Sequence, residues 1–151
     1  MPVAARPGRV GEGSRAETKN ILLAYDGGEP AQHALDTAAE LALTFGASLS
    51  VVSVVPTHIG RAAGPDPWDD APVHARELAE AGRLLREKGV EADLMEPAGD
   101  PAKTIEHIAQ EGGFDTIVIG SRGLSAVGRV LQGSVSEHVA THSTATVIIT
   151  H

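Results

Sequence analysis

Gly120-Ser121-Arg122-Gly123, followed after nine residues by Gly133-Ser134, gathers glycine, hydroxyl and one cation into a stretch that could hold phosphate. Glycine lets backbone amides approach a ligand closely and adopt positive φ. A helix opening at Gly133-Ser134 would add free N–H groups and the positive end of its dipole. Arg122 would add a forked donor suited to phosphate oxygens. A second candidate is Asp26, in Tyr25-Asp26-Gly27-Gly28, which closes an apolar run. Each residue also has a plainer role. Asp26 can open an Asp-Gly turn, Arg122 can be a solvated loop charge, and the glycines can serve turn geometry. Ser134-Val135-Ser136-Glu137 also reads as a capping box, which is compatible with a phosphate contact.

Other chemistries are excluded or weak. Gly123 to Val130 has the glycine spacing of a P-loop, but Arg129 replaces its lysine and Val130 its magnesium-binding hydroxyl. The chain has no cysteine, so disulfides, thiol catalysis and cysteine zinc sites are ruled out. His138 and His142 lie one helical turn apart, a spacing that suits a metal. The sequence offers no evident third ligand, so the pair reads as helix surface and no metal is expected. No nucleophile stands with a base, so no catalytic residue is expected either. A formal net charge of −8 opposes binding to nucleic acid or to an anionic membrane. Any phosphate site must therefore be local.

The elements that would position these residues follow from periodicity. Residues 1–18 are rich in Gly, Ala, Pro and Arg without hydrophobic period and read as a disordered arm, leaving 19–151 as one domain. The arm lacks the apolar stretch of a signal peptide, and no apolar run could span a bilayer, so a cytoplasmic location is expected. Asn20 to Tyr25 reads as a buried strand. From Glu29 to Phe45 the period turns helical, with Ala31, Leu35, Ala38, Ala42 and Phe45 on one face, Pro30 in the first turn and Gly46 as the stop. Ser48 to Val55 is a second strand, and Pro56 to Pro72 a long loop containing Trp68. A helix spans about Val73 to Lys88, and Val90 to Met95 alternates apolar and polar residues as a half-exposed edge strand would. Asp100-Pro101 caps and opens the next helix. Thr116 to Ile119 is a fourth strand, Ser134 to His142 a short helix, and Thr146 to Thr150 a fifth strand.

Strands alternating with helices give an α/β fold, an open parallel sheet covered by helices on both faces. With the alternating third strand at an edge, the strand order is 3-2-1-4-5. Ligands bind such sheets beyond the carboxyl ends of the strands, where the order reverses. The loops at that point begin at Asp26 and Gly120.

The pattern G-x2-G-x9-G-[S/T] after the fourth strand resembles the nucleotide-binding signature of the ATP-binding universal stress proteins. Asp26 ending the first strand, the Gly46-Ala47 step and the terminal Val147-Ile148-Ile149 resemble that family too. The resemblance implies a Rossmann-like, adenine nucleotide alpha hydrolase-like domain that binds ATP, with Mg²⁺ as its companion, and regulates a stress response with at most slow hydrolysis. It implies that Asp26 binds ribose and that Ala24 and Val54, with Tyr25 beside them, line the adenine pocket. Gly120, Arg122, Gly123, Gly133, Ser134, Val135 and Ser136 would hold ribose and phosphates. It also implies a homodimer through the fifth strand, whose apolar edge would invite pairing. The rival readings are an ATP-using enzyme of the wider adenine-nucleotide α/β group and a nucleotide-free interaction module. A receiver module fails, because no aspartate ends the third strand and no lysine the fifth.

Overall fold

A computed structural model describes residues 18–56, 71–121 and 134–151. The arm to residue 17, Trp68 and most of its loop, and Arg122, Gly123 and Gly133 lie outside the described residues, as does the side chain of Ser134.

Strand β1 (Asn20–Ala24) is the central strand, and Ile21, Leu22 and Leu23 are each 0% exposed. A strand covered on both faces has no polar face to show, which is why this run is uninterrupted. It continues through α1 (Glu29–Phe45), β2 (Ser48–Val52), β3 (Val55–Pro56), α2 (Ala71–Glu87), β4 (Ala92–Met95), β5 (Ala98–Gly99), α3 (Pro101–Glu111), β6 (Thr116–Gly120), α4 (Ser134–His142) and β7 (Thr146–Thr150). The main sheet is parallel in the order β4-β2-β1-β6-β7. This is the 3-2-1-4-5 arrangement, because β3 and β5 belong to a separate two-stranded pair that hydrophobic patterning did not reveal.

Alternation along β1 divides the core in two. Ile21, Leu23 and Tyr25 face α1 and α2, while Leu22 and Ala24 face α3 and α4. The buried stripe of α1 is Ala31, Ala34, Leu35, Ala38, Ala39 and Ala42, whose small side chains let the helix lie close to the sheet. Phe45 is a correction: it is 58% exposed, because it ends the helix one turn beyond Ala42. Gly46 stops α1 in the left-handed region (φ 64°), and Asp100 caps α3 by accepting from Lys103 N at 3.0 Å. Among the described residues, no helix is long and apolar enough to cross a membrane.

Candidate functional site

The site begins where β1 leaves the sheet. Asp26 Oδ1 accepts the Gly28 amide at 3.1 Å, and Gly27 takes φ 84°, so the Asp-Gly turn is real. One residue earlier, the Tyr25 ring is 3% exposed and packs into the α1/α2 core, where its hydroxyl accepts from Gln32 Nε2 at 2.5 Å. Burial and the carboxylates of Glu77, Glu80 and Asp26 push the phenol up to about 12, so it stays neutral at any physiological pH.

Ala24 and Val54, 8% and 9% exposed, meet in the opposite core cluster, at the carboxyl ends of β1 and β2. Val135, in the first turn of α4, packs on that same cluster, and Ser136 is 2% exposed beside it. Ala24 pairs with Ile119, which brings Gly120 level with Tyr25 on the adjacent strand. The structure thus brings together Ala24, Tyr25, Asp26, Val54 and Gly120 at one end of the sheet, with Val135 and Ser136 at the start of a helix on the Ala24 face.

Gly120 has a packing reason of its own. A Cβ there would lie 2.8 Å from the Pro30 carbonyl carbon and 2.9 Å from Ala31 N, both backbone atoms at the start of α1. Its hydrogen side chain lets α1 begin directly against β6.

Three side chains escaped the sequence reading, and one of them, Glu77, is close enough to Asp26 to feel its charge. Ser53 Oγ and His74 Nδ1 lie 2.9 Å apart, both residues buried, and Glu77 Oε1 lies 3.8 Å from the same nitrogen. Glu77 rests against Gly27, where an added Cβ would come within 2.7 Å of its Oε2. The available signal was helical: His74, Leu78, Ala81 and Leu85 share the buried face of α2. A histidine in line with such a stripe must be packed inside.

Burial, and then the charge of Asp26, pushes the Glu77 carboxyl up to about 7, with Arg76 opposing. An acid whose pKa rises on folding binds its proton more tightly in the folded chain. Between its ordinary value of 4.5 and about 7, the folded state is protonated where the unfolded state is not. The contribution of Glu77 to stability therefore falls as pH rises through that window and is lowest above it. Glu77→Gln, neutral at every pH, is expected to be more stable than the parent at pH 8 by about 1–2 kcal/mol, the shift discounted for residual solvent, and equal to it at pH 4.5. Urea midpoints of both proteins at the two pH values check this; a gap that does not change with pH would refute the assignment.

Comparison with known proteins places these features in context. Residues 17–151 match the model of the universal stress protein family. A universal stress protein of Bacillus subtilis, YxiE, is 33% identical over 147 residues, covering 85% of this chain and 96% of that protein. Among solved structures, a universal stress protein from Archaeoglobus fulgidus superimposes with a TM-score of 0.71 at 26% identity, covering 88% of this chain and 93% of the other. A universal stress protein in complex with cAMP gives a TM-score of 0.67 at 28% identity, covering 88% and 96%.

Proposed function

The chain belongs to the universal stress protein family, and from that premise we propose that it binds an adenine nucleotide, ATP with its Mg²⁺, as a nucleotide-dependent regulatory factor in a stress response. The observation that carries this reading is the convergence at the switch point. The Asp26 turn ends β1 and Gly120 ends the adjacent β6, where the crossover connections diverge to opposite faces of the sheet. Ala24 and Val54 offer an apolar floor for the base, and the Asp26 carboxylate an acceptor for ribose hydroxyls. The start of α4, with Val135 and Ser136, supplies amides for phosphate together with Gly120, Arg122, Gly123, Gly133 and Ser134. A similar protein in complex with cAMP supports an adenine nucleotide as the ligand class. In this reading the role is binding, and hydrolysis is slow at most.

Calorimetric titration of the purified protein, after denaturing a sample to identify any nucleotide carried through purification, tests the reading. Saturable ATP binding is expected. Failure to bind ATP, AMP or cAMP at millimolar concentration would sink it.

Two copies pair through β7 in this reading. That strand lies at the sheet edge, with Val147, Ile148 and Ile149 only half-buried. Sedimentation at tens of micromolar is expected to give a dimer that Val147→Lys dissociates. A monomeric parent protein, or a dimer indifferent to the substitution, rejects the interface.

A further inference from the structure

Away from the nucleotide end, the seam between α3 and α4 holds a second cluster of donor groups. The helices are locked together underneath by Ala102, Ile105, Ala109 and Val139 in one core cluster. Glu106 follows Ile105, and His138 and His142 flank Val139, so packing of the apolar stripe brings these three residues to the mouth of the seam. His138 Nδ1 lies 2.7 Å from Glu106 Oε2. The His138 and His142 rings stack with centroids 4.0 Å apart and planes inclined by 20°. One donor atom from each of the three residues lies within 4.8 Å of the other two.

The third ligand that the sequence did not offer is therefore Glu106, 32 positions before His138. We propose that Glu106, His138 and His142 bind a divalent transition metal of the zinc type, clamping α4 onto α3. Two imidazoles and one carboxylate, with one coordination position left open, are a donor set that zinc accepts.

Orientation of the second histidine supports this. His142 Nδ1 lies 2.9 Å from the His138 carbonyl oxygen, which can only accept. That contact puts the proton on Nδ1 and leaves the lone pair on Nε2 for a metal, the arrangement in which metal-binding histidines are ordinarily held. Tetrahedral zinc with bonds of about 2.0–2.1 Å needs donors about 3.3 Å apart. The donors now lie within 4.8 Å of one another, and the His138 side chain is partly exposed and that of His142 exposed, so closing to that spacing is the rearrangement that binding requires. Binding through His138 Nδ1 uses the neutral imidazole with its proton on Nε2, so the metal takes the place of the hydrogen bond between His138 and Glu106. An open cavity of about 360 Å³ lies beside the cluster, lined in part by Glu106, Gln110 and His142. Asp115 also lines it but is already engaged: Oδ2 accepts from the Lys19 and Asn20 amides and Oδ1 from the Thr116 hydroxyl. Water or a small anion would complete the coordination.

The test uses the untagged full chain, titrated calorimetrically with zinc chloride and, in parallel, with cobalt(II), whose visible absorption reports a four-coordinate nitrogen–oxygen environment. One ion per chain is expected, with thermal stability rising on binding. His142→Ala and Glu106→Gln should each weaken zinc at least about tenfold, the loss of one ligand, whereas His33→Ala and His107→Ala leave it unchanged. Circular dichroism of the metal-free variants confirms that they remain folded. Zinc affinity that survives both ligand substitutions, or falls equally with His33→Ala, means adventitious surface binding and overturns the proposal, as does absence of binding by the parent protein.

Discussion

Gly120→Val is expected to lower stability by about 3 kcal/mol, and Gly120→Ala by about 2 kcal/mol, as overpacking does when the obstructing atoms cannot yield. The added Cβ meets the Pro30 carbonyl carbon at 2.8 Å and Ala31 N at 2.9 Å. Neither is the end of a flexible side chain. Relief requires the first turn of α1 to move off β6, and that turn is also held by Thr150 Oγ1, which donates to the Pro30 carbonyl at 2.9 Å. Urea denaturation reads the loss directly. A variant as stable as the parent would mean that α1 shifts freely at its start, and the case for Gly120 would return to ligand approach alone. Nucleotide affinity must be measured where the variant is still folded, since the glycine serves the helix before it serves any phosphate.

Asp26→Ala is expected to weaken ATP and adenosine alike, by about 10- to 100-fold, the worth of hydrogen bonds to a charged acceptor. The ribose is common to both ligands, so the loss should not depend on the phosphates. Because Asp26 also holds the Gly28 amide, Asp26→Asn is the necessary companion. It retains the oxygen that closes the turn while removing the charge, and should bind nucleotide more weakly than the parent but better than the alanine variant. Arg122→Ala should weaken ATP by about 1.5–3 kcal/mol and adenosine much less, as one charge-assisted hydrogen bond to phosphate requires. Calorimetry of the three variants with both ligands separates these contributions. Full affinity in Asp26→Ala would remove Asp26 from the ribose, and equal losses of ATP and adenosine in Arg122→Ala would remove Arg122 from the phosphates. Asp26→Ala should also bring the Glu77 carboxyl down toward its ordinary range, because the Asp26 charge is part of what raises it.

The sequence by itself determined the alternation of the main-sheet strands with the helices and the parallel sheet, though not the β3–β5 pair; from these came the expectation of where a site should lie. Those inferences rest on short-range signals. The unbroken apolar run of β1, the left-handed Gly46 and the Asp100-Pro101 start of α3 act over a few residues and are written in neighbouring positions. Asp26 and Gly120 were singled out because strand order follows from which strands are covered and which lie at an edge, and that order is the one observed.

Only the tertiary structure decided which side chains meet between elements. Phe45 satisfied the helical period yet ends outside the core, because periodicity fixes a face and not how far the sheet extends beneath it. His74 and Glu77 come to rest against Ser53 and Gly27 only when α2 is docked on the sheet, which brings its first turns to those residues. Glu106 reaches His138 only through the packing of Ala102, Ile105 and Ala109 against Val139. Even Gly120, singled out for its freedom to approach a ligand, proved to be in demand from Pro30 and Ala31 on another element. Such contacts depend on helix spacing and crossing, set by the volumes of the side chains packed between the layers. No single stretch of chain records that spacing, so the carboxylate beside Asp26 and the third donor of the histidine pair become legible only once the helices are docked on the sheet.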